Sequence, residues 1–255
     1  MMTILVFDIE TVPDVEAGRK LYDLHGLSDE DTAQALFALR RAKVGNDFLP
    51  HYLQKIVAIS LVISNTKQLK VWSLGDETSD EKELITRFFS GIDKHTPTLV
   101  SWNGSGFDLP VLHYRALLHG VPAPLYWETG EHQQAFRWNN YLNRFHYRHL
   151  DLMDVLAAYQ NKAFAPLDQI ASMLGFPGKM GMSGDKVWGE YLAGNLNGIR
   201  NYCETDVLNT YCVYQRFELI RGTINQSEYD EAIKRLQLYL HEENKSHLIE
   251  FLSQM

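Results

Sequence analysis

The hydrophobic and polar positions of this chain change period along its length. Thr3 to Phe7 is a continuous apolar run, the pattern of a central strand covered on both faces. Asp8-Ile9-Glu10-Thr11 and Pro13 end it. Within residues 14–53, Ala35, Leu36 and Leu39 share a stripe that predicts a helix from Asp31 to Lys43, broken by Gly45-Asn46-Asp47 and Pro50. Ile56 to Ile63 and Leu69 to Leu74 flank Asn65-Thr66 and predict a hairpin. Thr78-Ser79-Asp80-Glu81 has capping-box spacing and opens a helix through Phe88 and Phe89. Thr98 to Trp102 predicts another strand and Asn103-Gly104-Ser105-Gly106 a turn-rich loop. A helix from Leu109 to His119 follows, with Pro110 near its first position, where proline is tolerated.

The second half is helical in pattern. Residues 120–149 are irregular; Leu150 to Tyr159, Leu167 to Leu174 and Lys186 to Leu192 predict short helices. Gly175 to Gly184 holds four glycines and a proline, which predicts a mobile loop. The longest periodic run is Asn195 to Arg221, where Ile199, Tyr202, Cys203, Val207, Tyr211, Tyr214 and Phe217 recur at helical spacing and Gly222 supplies a stop. Ser227 to Leu252 predicts an acidic, amphipathic helix. Strands gather in the first half and helices in the second, so the expected class is α/β. Without a repeat or linker, the expectation is one domain over 1–255, with a helical insertion at 14–53 and a C-terminal helical extension at 223–255.

Composition narrows the picture. At 255 residues with 45% hydrophobic and 12% aromatic content, the chain is that of a packed globular protein. No apolar run is long enough to span a bilayer, and the strand-like start lacks a signal peptide's basic region. Cys203 and Cys212 lie nine apart on one helix, so they cannot pair; free thiols suit a reducing compartment, and a cytoplasmic location is expected. A net charge of −8 disfavours a broad non-specific nucleic-acid footprint. It leaves open an enzyme that grips nucleic acid through divalent cations, which reverse the local sign.

Four acids carry the candidate chemistry. Asp8 and Glu10, two apart on a strand, leave the same face. Asp108 follows the turn-rich loop, and Asp206 lies within the apolar stripe of the long helix, one turn beyond Tyr202 on the same face. Taken singly, Glu10 reads as a surface acid, Asp108 as an N-cap and Asp206 as a solvated acid at the helix edge. Taken together in apolar settings, they would repel and raise one another's pKa if they converged. Divalent cations remove that penalty, and all-oxygen ligation suits Mg²⁺ or Mn²⁺. Such carboxylate sets hold two ions roughly 4 Å apart for in-line displacement at phosphorus.

Phe7-Asp8-Ile9-Glu10-Thr11, then Asn103 to Asp108, then Tyr202-x-x-x-Asp206 resemble, in order and spacing, the three motifs of DEDDy-type 3′–5′ exonucleases. The nearest resemblance is to stand-alone predicted exonucleases related to the proofreading domain of family B DNA polymerases. It implies a ribonuclease H-like fold with a central mixed sheet flanked by helices. It also implies two ions, Mg²⁺ or Mn²⁺, one held by Asp8, Glu10 and Asp206 and the other by Asp8 with help from Asp108. Tyr202 would orient the attacking water, and nucleoside 5′-monophosphates would be released from the 3′ end. Residues 14–53 depart from the compact members of the family, which run from the first strand straight into the hairpin.

Several residues are expected to touch substrate. Thr11, Trp102, Asn103 and Phe107 would shape the pocket of the terminal nucleotide. Arg137 to His149 interleaves three arginines with aromatic rings and contains no acid, a pattern suited to single-stranded nucleic acid; Arg144 and Arg148 are its candidates. Lys179 and Lys186 flank the glycine-rich loop and could meet phosphate. The expected partner is single-stranded nucleic acid or a frayed 3′ end, DNA before RNA. Expected further partners are a homo-oligomer or a repair or replication protein, and no membrane is expected. An exoribonuclease of the same fold and a non-catalytic nucleic-acid-binding module are the alternatives. A haloacid dehalogenase-like phosphatase is disfavoured, because Tyr202 and Asp206 would have no role in it.

Overall fold

A computed structural model describes residues 3–255. Five strands form one mixed sheet in the order β3-β2-β1-β4-β5. β1 (Ile4–Pro13) pairs antiparallel with β2 (Gln54–Ser64), which pairs antiparallel with β3 (Leu69–Ser73). On its other side β1 runs parallel to β4 (Thr98–Ser101), and β4 to β5 (His149–Asp151). β1 is therefore central, and its apolar run from Ile4 to Phe7 is buried on both faces.

Between β1 and β2 stand α1 (Val15–Tyr22) and α2 (Asp29–Val44). α1 lay outside the predicted elements, since its eight residues carry too short a periodic stretch. α3 (Glu81–His95) and α4 (Asp108–His119) cover one face of the sheet through Phe88, Phe89, Ile92 and Leu112. α3 is capped by Asp80, whose side chain accepts from the Glu83 N–H, and not by the capping box read at Thr78. Leu150-Asp151, read as a helix start, belongs to β5, and α5 (Leu152–Leu156) begins after it. Asp151 caps that helix.

The other face is covered by α8 (Leu196–Ile220), whose Val207, Leu208 and Tyr211 pack with Val6, Val62 and Val100. α6 (Leu167–Met173) and α7 (Val187–Leu192) precede it. The C-terminal run forms two helices, α9 (Gln226–Glu243) and α10 (Ser246–Ser253). Asn244, at φ 51°, turns the chain between them; asparagine tolerates that left-handed conformation. Leu236, Leu240, Leu248 and Phe251 join the core that α8 forms on the sheet. Among the described residues, no helix is long and apolar enough to cross a membrane.

Candidate active site

β1 continues past its apolar run to Pro13, so Asp8 and Glu10 stand within the strand, Glu10 buried and Asp8 half-buried. The pairing with β2 slips between Glu10 and Thr11, and a bulge there re-aims the strand beyond the acids. α8 crosses β1 with Tyr202, Cys203 and Asp206. The Cys203 thiol lies 3.5 Å from both the carbonyl and the Oδ2 of Asp8 and donates to them. Tyr202 stands one turn before Asp206 on α8, and both side chains line the same cavity.

Asp108 opens α4 without capping it; the N-cap position is Phe107, which makes no side-chain cap bond. The Asp108 carboxylate crosses to the central strand instead, its Oδ1 accepting from the Ile9 N–H at 3.2 Å. The loop before it is held by Asp151, whose carboxylate accepts from the N–H of Asn103 and of Ser105, each at 2.9 Å. Asn103 sits at φ 64°, a left-handed position that asparagine tolerates.

The two acids of β1 feel the charges of Asp108 and Asp206. Burial, then the charges of Asp108, Glu10 and Asp206, pushes Asp8 well above the carboxylate range. Glu10 is pushed well up by burial and by Asp206 and Asp108. Asp108 rises to about 7, chiefly through burial, and Asp206 to about 6, through burial held back by the Tyr202 hydrogen bond. Burial, and then these carboxylates, also raises Tyr202 and Cys203, so both side chains are neutral near pH 7. Among the described residues, no lysine or arginine forms an ion pair with Asp8, Glu10, Asp108 or Asp206. Lys179 acts on Asp206 only through space.

Four carboxylates without a paired cation make a poor resting place for charge and a good one for divalent metal. Donor atoms of Asp8, Glu10 and Cys203 lie within 4.8 Å of one another. The donors are mainly carboxylate oxygens, and a hard cation fits them.

A cavity of about 280 Å³ opens over Tyr202 and Asp206, lined also by Asp168, Lys179 and Asn209. Asn209 fixes its rim: its side chain accepts from the Gly178 N–H at 3.1 Å and donates to the Gly178 carbonyl at 2.7 Å. The glycine-rich loop expected to be mobile is thus tied to α8 at Gly178, and Lys179 follows at the cavity edge. Lys186, exposed, does not line that cavity.

The other substrate candidates scatter. Thr11 bonds Gln54 across the strand pair, at 2.9 Å. The Trp102 indole donates to the Ala165 carbonyl at 3.2 Å and packs into the core. Phe107 is half-buried beside Asp108. Asn103 and Arg144 line a second cavity of about 430 Å³, where Arg144 pairs with Asp154 at 2.8 Å. Arg148 is engaged internally, its guanidinium 4.0 Å from the Phe136 ring and bonded to the Asn139 carbonyl. Asp151, Asp168 and Asn209 were not singled out for the site by sequence. Their partners lie 31 to 48 residues away for Asn209 and Asp151, beyond any local pattern.

Comparison with known proteins gives the same direction. The model of a family described as predicted 3′–5′ exonucleases related to the exonuclease domain of PolB matches residues 46–255. Asp108, Tyr202 and Asp206 fall inside that stretch, whereas Asp8 and Glu10 precede it. No curated protein matches. Among solved structures, a family B DNA polymerase from the archaeon Pyrobaculum calidifontis is similar at TM-score 0.52 and 18% identity, over 86% of this chain and 25% of the polymerase. E. coli exonuclease I in complex with an oligonucleotide aligns at TM-score 0.35 and 12% identity, over 93% of this chain and 43% of that one. A zinc-bound complex of the same enzyme with single-stranded DNA gives 0.35 and 10%, over 85% and 43%. The chain thus spans a quarter of the polymerase it resembles. That likeness is one of fold, and the ribonuclease H-like expectation holds. On the match over residues 46–255, the chain belongs to the family of predicted 3′–5′ exonucleases related to the exonuclease domain of PolB.

Proposed function

We propose that this exonuclease removes nucleotides from the 3′ end of single-stranded nucleic acid, DNA in preference to RNA, and requires Mg²⁺ or Mn²⁺. The observation that carries this reading is geometric: donor oxygens of Asp8 and Glu10 lie within 4.8 Å of each other, and the Asp108 carboxylate bonds the Ile9 N–H between them; the charge of Asp206 also reaches both acids of β1. Asp8, Glu10 and Asp206 would hold one ion, and Asp8 with Asp108 a second. When bound, such ions polarise the scissile phosphate and stabilise charge on the attacking and leaving oxygens.

The chain's own residues do the rest. Tyr202, with its pKa raised by burial and by Asp206, stays a neutral phenol, so it orients a water by hydrogen bonding and does not act as a base. Asp206, one turn away on the same cavity wall, would accept from the phenol and fix its direction. Lys179, at the cavity edge, would meet a phosphate oxygen on the substrate. Phe107 and Asn103 offer a ring and an amide to the terminal nucleotide.

The test is digestion of 5′-labelled DNA and RNA oligonucleotides of matched sequence with Mg²⁺, Mn²⁺ or EDTA, using wild type and Asp206→Ala. A ladder that shortens from the 3′ end, needs metal and disappears in the variant is expected, with DNA degraded faster. No degradation of either polymer, with metal binding intact, would overturn the reading.

A further inference from the structure

The insertion between β1 and β2 has no part in the site so far, yet it is built against it. Its neck is closed: the Asp14 N–H donates to the Leu53 carbonyl at 2.9 Å, and Arg115 of α4 bonds both Asp14 and Glu81 in the core. The insertion is therefore a fixed wall. Next to the neck, a ring nitrogen of His51 meets the Gly106 carbonyl at 3.0 Å. Phe48 packs on Phe107, ring centres 5.5 Å apart, and His51 packs on the same ring at 5.8 Å. Phe107 directly precedes Asp108, so Phe48 extends the aromatic surface outward from the candidate active site.

Beyond Phe48 lies a groove of about 410 Å³ whose lining includes Tyr22, Leu39, Arg40, Lys43 and Tyr52. Phe48 is 56% exposed, and of the rings that line the groove Tyr52 is 43% and Tyr22 41% exposed, so all three faces are open to a ligand. Tyr52 meets Tyr114 edge-on at 6.3 Å, and Arg40 donates to the Phe48 carbonyl at 2.8 Å, so both groove walls are positioned. Charge along α2 is polarised. Asp29, Glu30 and Asp31 fill its first turn, while Arg41 and Lys43 fill its last, about 20 Å away along the axis. The basic end is the one beside the groove. Rings interleaved with cations fit single-stranded nucleic acid, which stacks bases on the former and sets phosphates on the latter. A purely apolar protein partner would not explain Arg40 and Lys43 within the lining.

We propose that this groove is a second subsite for single-stranded nucleic acid, holding the strand on the 5′ side of the terminal nucleotide, with bases against Phe48, Tyr52 and Tyr22 and phosphates on Arg40 and Lys43. The polarity rests on the exonuclease reading above, because a 3′ end in the active site leaves only the 5′ side of the strand to reach the groove. The binding itself does not depend on catalysis. In a chain whose net charge is −8, Arg40 and Lys43 give the groove a local positive charge, while the neighbouring Arg41 is paired with Asp47.

The experiment measures affinity of the full chain in EDTA for 5′-fluorescein oligothymidylates of three and twelve nucleotides, by anisotropy, at several salt concentrations. Wild type is expected to bind the longer strand about tenfold or more tightly than the shorter. Phe48→Ala/Tyr52→Ala is expected to erase that length advantage. Lys43→Glu is expected to weaken the longer strand and flatten its salt dependence. All three side chains are exposed, and a melting curve verifies the fold of each variant. As a second readout, 5-iodouridine placed three to six nucleotides from the 3′ end is expected to crosslink to Phe48 or Tyr52. Unchanged length dependence together with no crosslink to the insertion would overturn the proposal. Metal-dependent digestion by wild type is read separately. Its absence would sink the exonuclease reading while leaving length-dependent binding to stand or fall by itself.

Discussion

The Asp108 carboxylate reaches across to the central strand and accepts from the Ile9 N–H at 3.2 Å, between the two acids of β1. One residue thus sets the distance between α4 and Asp8-Glu10 and adds a negative charge to the same small volume. The two roles separate by substitution. Asp108→Asn keeps an acceptor for Ile9 and removes the charge, so the metal-free protein should melt at or above the wild-type temperature. Asp108→Ala loses the acceptor as well and should be less stable than Asp108→Asn by about 1–3 kcal/mol. Both should lose roughly 100-fold or more in cleavage, the loss expected when charge stabilisation worth several kcal/mol is withdrawn. Equal melting of the two variants would show that the hydrogen bond does not matter.

The raised carboxylates give stability a definite pH slope. An acid whose folded pKa exceeds its unfolded value binds more protons in the native state between the two, so stability falls as pH rises through that interval. For Asp108 the interval runs from the usual 3.8 to about 7, and Asp8 and Glu10 are raised as well. His113 and His149, both pushed down to about 4 by burial, act oppositely, adding stability as pH rises towards 6.5. The diagnostic range is therefore above pH 6.5. In EDTA the melting temperature should fall between pH 6.5 and 8, and Mg²⁺ or Mn²⁺ should restore it, more strongly at the higher pH. A metal-free melting temperature that is flat or rises over that range would contradict the assignment. The acids are coupled, so the slope belongs to the set.

Much of this arrangement is legible along the chain, for physical reasons. β1 and α8 announce themselves because each buries a long apolar run, and the acids stand out because apolar neighbours make a charge expensive. What escaped is tertiary. β5 is three residues long and owes its existence to pairing with β4, so Leu150-Asp151 reads locally as the start of the helix that follows. The break at Asn244 lacks any glycine or proline. Asp108 looks like an N-cap from its position, and only the nearness of Ile9 gives it another partner.

The tie between Asn209 and Gly178 should govern the loop that carries Lys179. A Cβ on Gly178 would stand 2.4 Å from the Ser172 hydroxyl and 2.8 Å from the Asp168 carbonyl, and its φ is +63°. Gly178→Ala should cost about 1–3 kcal/mol, from strain and overpacking. Asn209→Ala, which leaves two backbone groups without their partner, should cost a similar amount. In both variants limited proteolysis should cut within residues 175–184 faster than in wild type. A loop cut equally fast in all three proteins would mean that the pair does not restrain it.

Arg115 presents the sharpest stability test, because its guanidinium is buried and bonds Glu81 and Asp14 together. Glu81 also accepts from the Ile56 N–H at 2.6 Å and from His119 at 2.7 Å, so α3, α4, β2 and the neck of the insertion meet at one ionic knot. Removing the cation leaves two buried acids that still carry the cost of leaving water, and Arg115→Met should lose about 3–5 kcal/mol. If that loss comes from uncompensated charge, neutralising an acid should return part of it. Arg115→Met/Glu81→Gln keeps an acceptor for Ile56 and should therefore be more stable than Arg115→Met alone. Urea unfolding of the two variants decides the matter. A double variant that is less stable than the single would mean that packing of the arginine stem, and not its charge, holds the neck in place.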